Sequence, residues 1–457
     1  MEQLKLGVGR AVITPKIGCQ LYGYGPTNFS DGVSDDLNAT VFLFNQDGIS
    51  ALVITLDVCV LNVDLANDIR DRIEKEFNIP AKHIMLCASH THTGPNLSGG
   101  VGWGDIDTDY VENVFVSALF KGIKTAQSNV KPVKMGVARG DSLTGINRRE
   151  ITPENNIKLG QNPWGSFNPQ MTVIAFRDMD DNPVANIVHY GAHNTAASGR
   201  CHLISRDWCG IMADRLEEIS GAVTGFIAGC AGDVGPRLSC GFTAGLAAYM
   251  PDGKGDYVER PSNGLISGGL KYAWEVGSVA AQDAVRIYKS ITKYTNEKLL
   301  ANEFTLSIPY KERMSYEEAK AGWEELKDFT GGNIGAKMKQ IYFDVLKAYE
   351  DGVPEEKVHD EPQIIVSLGE VAIIGFKYEL FSEIGMRIAK YTNNPYALCS
   401  CYTNGRGTYF PTQDQLVRGG YEVQHYQFNG LQPLCDNGDW HLITNTINNL
   451  KTLREEL

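Results

Sequence analysis

Ser89-His90-Thr91-His92-Thr93-Gly94-Pro95 sets two imidazoles one residue apart, directly after the apolar run His83-Ile84-Met85-Leu86-Cys87-Ala88. An imidazole ligates a metal through one ring nitrogen while a hydrogen bond fixes the other. The ends of buried strands are where ligand sites collect in α/β sheets. A lone His-x-His is equally compatible with two polar turn residues. A second cluster changes that balance: Val188-His189-Tyr190-Gly191-Ala192-His193-Asn194-Thr195, continuing into Cys201-His202-Leu203-Ile204-Ser205-Arg206-Asp207. It too follows an apolar run, Pro183 to Val188. Five of the nine histidines fall in these two segments, which a random scatter over 457 residues would rarely produce. The pairing predicts a metal site.

Composition limits the partners. A net charge of −13 gives no basic footprint for nucleic acid. Hydrophobic and charged contents of 43% and 21% are those of a soluble globular enzyme. No apolar run reaches the length of a membrane-spanning helix, so no membrane insertion is expected. Met1-Glu2-Gln3-Leu4-Lys5-Leu6-Gly7 contains no apolar signal core, which predicts a cytoplasmic protein. The ten cysteines then read as reduced thiols. Cys399-Ser400-Cys401 has no companion pair at zinc-finger spacing and predicts no structural zinc. The expected partner is a small-molecule substrate, and nothing in the sequence sets the oligomeric state.

The elements that must position the histidines alternate. Thr40–Phe44 and Ala51–Leu56 around Asp47-Gly48 read as a β-hairpin. Asp64–Phe77 carries Leu65, Ala66, Ile69, Ile73 and Phe77 at helical spacing. Helix signals follow at 109–126, 209–219 and 268–288, and strand signals at 172–176, 185–188 and 223–227. Ser315-Tyr316-Glu317-Glu318 is a capping box for a charged helical stretch running, with a break at Gly331-Gly332, to about Tyr349. Strand-like runs return at 364–368 and 371–376, and a helix is expected at 382–391. The Gly-, Pro- and Ser-rich stretch 229–269 reads as the wall or lid of a site. The fold class is α/β: one layered, mixed catalytic domain over 1–457, with a strand-end metal site and a helical insertion at about 300–360.

Several of these segments carry a family resemblance. Gly7-Val8-Gly9-Arg10-Ala11-Val12-Ile13-Thr14-Pro15, the Ser-His-Thr-His-Thr-Gly-Pro segment, Ala192-His193 with His202-Leu203-Ile204-Ser205, and Gly232-Asp233-Val234 resemble the catalytic domain of the neutral, or non-lysosomal, ceramidases. Tyr378-Glu379-Leu380-Phe381-Ser382-Glu383-Ile384-Gly385 and Thr408-Tyr409-Phe410-Pro411-Thr412 follow in the family's order. The resemblance implies zinc-dependent amide hydrolysis. Carried over residue by residue, it implies zinc ligands His90, His193, Glu379 and Tyr409, with Glu383 and Tyr402 as rivals for the last two. Asp57, Asp207 and Asp233 are candidates to support the ligands from behind.

The departures bear on function. The Gly-Asp-Val motif continues in the ceramidases into a serine nucleophile, whereas Gly235 stands here, with no group to form an acyl-enzyme. The ceramidases also carry a further β-sandwich, and this sequence runs 48 residues beyond Tyr409. The expected function is therefore zinc-dependent hydrolysis of an amide, ester or related bond in a small soluble substrate, with metal-activated water replacing the serine. His92 is the expected general acid–base, unless its ring serves only to stabilise the turn. Asp233 and Gly235 complete the catalytic loop, and the Val234 and Gly235 amides are expected to stabilise an oxyanion. Arg148, Arg149, Arg206 and His202 are the candidate substrate-binding residues. Alternatives are a lactone- or sugar-directed zinc enzyme, and a catalytically dead relative that binds metal or ligand.

Overall fold

Strands buried on both faces read as unbroken apolar runs, and their alternate residues here enter different cores. Phe42 and Phe44 face one core while Val41 and Leu43 face the other. Met85 and Cys87 are likewise separated from Ile84, Leu86 and Ala88. The computed structural model describes residues 1–197, 199, 201–239, 249–251, 257–259, 269–330 and 333–455.

The strands build an eight-stranded mixed sheet in the order Val223–Ala228, Pro183–Tyr190, Gln170–Asp178, Lys131–Asp141, Lys5–Val12, Asn38–Gln46, Ile49–Leu56, Ile84–Ala88. Its two outermost pairs are parallel and the rest antiparallel. Both expected hairpins form, 38–46 with 49–56 and 170–178 with 183–190. Asp47 and Gly48 take positive φ at the first turn, as a tight hairpin of this kind requires. A second sheet joins Leu299–Pro309, Val358–Leu368, Val371–Gly375 and Ala397–Ser400. Leu299, Ile364, Val366 and Ile373 of that sheet share a core with Phe42, Phe44, Met85 and Phe176 of the first. Helices Ser117–Ser128 and Leu270–Lys289 cover the larger sheet, and Gly438–Glu455 covers the smaller. The layers run helix, sheet, sheet, helix, a mixed α/β architecture.

Helix Val63–Phe77 starts at Asn62, whose side chain accepts from the Asp64 amide, and stops at Asn78 in the left-handed region. The stretch expected as one helix from 109 is interrupted: an α-helical turn, Thr108–Tyr110, passes into a π-helical turn, Val111–Val116, before the α-helix Ser117–Ser128. The capping box at Ser315 forms. Helices Tyr316–Leu326 and Asn333–Glu350 pack together through Ala319, Ile341 and Val345 and connect the paired strands 299–309 and 358–368. Gly331-Gly332 and most of the expected lid at 229–269 lie outside the described residues. Among those described, no helix is long and apolar enough to cross a membrane, and every cysteine is a free thiol.

The opening Gly-Val-Gly motif has a packing cause. A Cβ on Gly7 would sit 2.0 Å from the Ala126 carbonyl oxygen, and one on Gly9 1.9 Å from that of Gly122. Helix 117–128 therefore lies directly on the backbone of strand 5–12, and no side chain fits between. Gly9→Ala should cost about 3 kcal/mol, the upper end of overpacking penalties, because the atoms it meets are backbone. Denaturant unfolding of the two proteins measures this directly.

Candidate metal centre

Three loops converge where the strands end. His90 follows strand 84–88, and its amide donates to the Val58 carbonyl at 2.9 Å. His193 follows strand 183–190, with its amide donating to the Val234 carbonyl at 3.0 Å. A parallel bridge between Thr91 and Asn194 fastens the two histidine segments to each other. The alternation of His and Thr now has a reason. The hydroxyls of Thr91 and Thr93 both donate to the Ser205 carbonyl at 2.8 Å, anchoring the segment while His90 and His92 turn the other way. Glu379 arrives on a short parallel ladder in which it stands opposite Tyr409.

The imidazole tautomers are fixed by the backbone. His90 Nδ1 lies 3.0 Å from the Cys59 carbonyl, and His193 Nδ1 lies 2.7 Å from the Ala231 carbonyl. A ring nitrogen facing a carbonyl must carry the proton, so both Nε2 atoms present lone pairs. They point at one carboxylate oxygen: Glu379 Oε2 is 3.5 Å from His90 Nε2 and 3.2 Å from His193 Nε2. His193 Nε2 is buried and makes no hydrogen bond. Burial drives His90, His92 and His193 well below the ordinary imidazole range, with Glu379 opposing the shift at His90. All three rings are neutral at pH 7, the form that binds a cation.

Two ligands held 2.0–2.1 Å from one tetrahedral ion lie ~3.4 Å apart, which matches these spacings. His90, His193 and Glu379 thus form a group able to hold a metal ion. Cys59, His90 and His92 form a second such group, but Cys59 Sγ lies 3.5 Å from His90 Nδ1, on the far side of the ring from Glu379. Burial also keeps the Cys59 thiol protonated.

Of the two tyrosines, Tyr402 stacks flat on His90, with ring centroids 3.8 Å apart and planes 6° off parallel, and its hydroxyl is 3.4 Å from Glu379 Oε2. Tyr409 lies parallel to His193 at 6.4 Å. His90 and Tyr402 both hold positive φ, 64° and 53°, a backbone conformation that bulky residues seldom adopt. Glu383 lies apart from the cluster in an ion pair with Arg387.

The remaining expected residues divide. His92 Nε2 is 3.1 Å from His90 Nε2, within the cluster. Arg148 lays its guanidinium 5.3 Å over the Tyr409 ring and bonds Glu422 Oε1 at 3.0 Å. Burial works against its charge, but Tyr409, Glu422 and Glu379 hold it protonated. Arg149 shares Glu422 at 2.6 Å and donates to the Gly419 carbonyl, and Arg206 is held by Asp35 and Asp214. His202 is exposed, with Nδ1 3.2 Å from the Phe29 carbonyl.

Asp233 faces the start of helix Ser382–Tyr391, accepting from the Ser382 amide at 2.7 Å and its hydroxyl at 3.1 Å, and burial pushes it up to about 7. Asp207 accepts from the Ala196 and Ala197 amides, bracing the loop after His193. Asp57 accepts from the Asn38 amide. The Val234 amide donates to the Ala231 carbonyl, which corrects its expected oxyanion role. Gly235 pairs with Ile146, and a Cβ there would stand 3.6 Å from Arg148 Cβ, so a side chain fits. Glu422, Tyr421 and His425, absent from the sequence reading, wall the site from helix Tyr421–Gln427. Glu422 could have been found only as a carboxylate following Gly419-Gly420, which carries no chemical signal by itself.

Known proteins share this arrangement of segments. Residues 4–303 match the family described as neutral/alkaline non-lysosomal ceramidase, N-terminal. The chain belongs to the neutral/alkaline non-lysosomal ceramidase family. Neutral ceramidase A of Dictyostelium discoideum is 26% identical over 215 residues, 44% of this chain and 30% of that protein. The neutral ceramidase of Pseudomonas aeruginosa is 25% identical over 167 residues, 34% of this chain and 25% of that one. The matched segments thus span less than a third of the length of each of these two relatives. The crystal structure of the P. aeruginosa neutral ceramidase superposes with a TM-score of 0.72 at 18% identity, covering 100% of this chain and 75% of that chain. That likeness shows the shared fold. Both of these relatives are ceramidases, hence hydrolases.

The Tyr402 ring acts as a plate that holds His90 in place. Tyr402→Phe keeps the plate and should leave metal affinity within about threefold. Tyr402→Ala should weaken it ~10–100-fold, the usual penalty for losing a group that orients a ligand. Competition against a chelator of known affinity checks both, and an equal loss in the two variants would make the hydroxyl itself the donor.

Proposed function

We propose that this ceramidase-family chain is a zinc-dependent hydrolase that cleaves an amide, ester or related bond in a small soluble substrate, with water as the nucleophile. The observation that carries the reading is the convergence of His90 Nε2 and His193 Nε2 on Glu379 Oε2, with the His193 nitrogen buried and otherwise unpartnered. Two neutral imidazoles and a carboxylate are a zinc donor set, and Tyr409, opposite Glu379 on its ladder, is the fourth candidate. When bound, zinc supplies Lewis acidity, polarising a carbonyl and acidifying water near neutral pH.

The chain's own residues supply the rest. His92, neutral and adjoining His90, is placed to take up and return a proton. Arg148 is a fixed cation beside Tyr409, anchored from behind by Glu422, and stabilises negative charge developing on a substrate oxygen. Gly235 carries no nucleophile and leaves open the space next to Arg148.

That same opening favours a second reading, a chain that binds its ligand without turning it over. The two are separated by Gly235→Ser. Under the hydrolase reading the parent, loaded with zinc, hydrolyses members of a panel of small amides, esters and lactones, and Gly235→Ser fails to raise the rate. An inactive parent that gains turnover in Gly235→Ser, with a trappable acyl-serine, would establish the second reading. Long-chain ceramide should be a poor substrate, with kcat/KM below the ~10⁴ M⁻¹s⁻¹ typical of enzymes on their own substrates.

A further inference from the structure

The charge around the centre runs against the charge of the chain. The protein carries a net −13, yet two cations from separate elements, Lys337 and Arg406, flank the segment that leads into Tyr409. Lys337, half-buried on helix Asn333–Glu350, has Nζ 3.4 Å from the His425 carbonyl oxygen. The same carbonyl accepts from the Thr408 hydroxyl, next to Tyr409, which ties Lys337 to the segment bearing Arg406. Arg406 holds Nη1 3.3 Å from Ser98 Oγ and lays its guanidinium 5.6 Å over the Tyr22 ring. His425 in turn packs 5.7 Å from the ring of Tyr409.

Most other buried cations here are spoken for. Arg148 and Arg149 share Glu422, and Arg206 holds Asp35 and Asp214. Among the described residues no carboxylate pairs with Lys337 or Arg406. An ammonium has three donors and a guanidinium five, so most of theirs are unspent on those residues. Burial, with Arg406 nearby, pushes Lys337 down to about 8. Two like charges at a partly buried rim repel each other unless an anion lies between them.

We infer that Lys337 and Arg406 recognise an anionic group, a carboxylate or a phosphate-type oxyanion, on the substrate, which makes the substrate an anionic amide or ester. The helical pair between strands 299–309 and 358–368 then has a function, because it delivers Lys337 to the site. The inference rests on the hydrolase reading for the word substrate and on Lys337 and Arg406 for the anion.

The test uses the full chain loaded with zinc and three ligands of one size class: N-acetylglycine, N-acetylphosphoethanolamine and the neutral N-acetylglycinamide. Calorimetry should show one or both anions binding at least ~10-fold tighter than the amide, and the preference should shrink as salt is added. Which anion wins identifies the oxyanion. In Lys337→Gln and in Arg406→Gln, each checked for an unchanged melting temperature, the ratio of anionic to neutral affinity should fall ~10–100-fold, the loss expected for a charge-assisted hydrogen bond. The double variant controls for anions bound by the metal itself. Equal affinity for the neutral amide, or a preference that survives in the double variant, would overturn the inference. Turnover of these compounds keeps the two proposals distinct. Hydrolysis without charge preference sinks the anion site and leaves the hydrolase. Anion binding through these residues without hydrolysis of any compound sinks the hydrolase and leaves the anion site.

Discussion

Two hydrogen bonds, from His90 Nδ1 to the Cys59 carbonyl and from His193 Nδ1 to the Ala231 carbonyl, decide what the centre can bind. They choose the tautomer of each ring and aim each Nε2 at the Glu379 carboxylate. The acceptors are backbone atoms in turns immediately beyond buried strands, so the aim is set by the fold and not by another flexible side chain. Burial adds the second condition by keeping both rings neutral. A buried nitrogen lone pair without a donor is costly, and that cost is offset when a cation occupies the point where the lone pairs meet.

The surrounding structure serves this aim. Strand 131–141 meets strand 5–12 through only two residue pairs, Lys5 with Pro132 and Leu6 with Lys131. The larger sheet is consequently free to fold back on itself, and Gly225 of strand 223–228 lets that strand lie against Phe42, where a Cβ would come within 2.7 Å of the ring. The fold-back brings the ends of strands 84–88 and 183–190 close enough for the bridge between Thr91 and Asn194. The smaller sheet supplies Glu379 and Tyr402 just beyond its strands 371–375 and 397–400. Asp233 and Asp207 are part of this framework, since each carboxylate accepts backbone amides that hold a loop of the site.

Much of this was legible in the sequence. Double-sided burial leaves apolar runs that announce their strands, and Asp47-Gly48 and the Ser315 capping box mark a turn and a helix start by local chemistry. The histidine clusters stood out as a candidate metal site for the same reason, because both ring-bearing segments follow such runs. What stayed hidden depends on long-range packing. Nothing local to Glu422 says that it anchors two arginines, and nothing in Arg206 or His202 says that their partners lie outside the cluster. Tyr402 and Tyr409 are told apart only by orientation, since one stacks on His90 and the other lies along His193.

X-ray absorption at the zinc edge of the zinc-loaded protein reads the ligand atoms around the ion and so decides whether His90, His193 and Glu379 hold it. Ligation by His90, His193 and Glu379 gives an inner shell of nitrogen and oxygen only, at about 2.0–2.1 Å, with the outer-shell scattering of two imidazoles. A sulfur scatterer at about 2.3 Å would contradict it, because that ligand could come only from Cys59 or another thiol, away from the Glu379 side of His90.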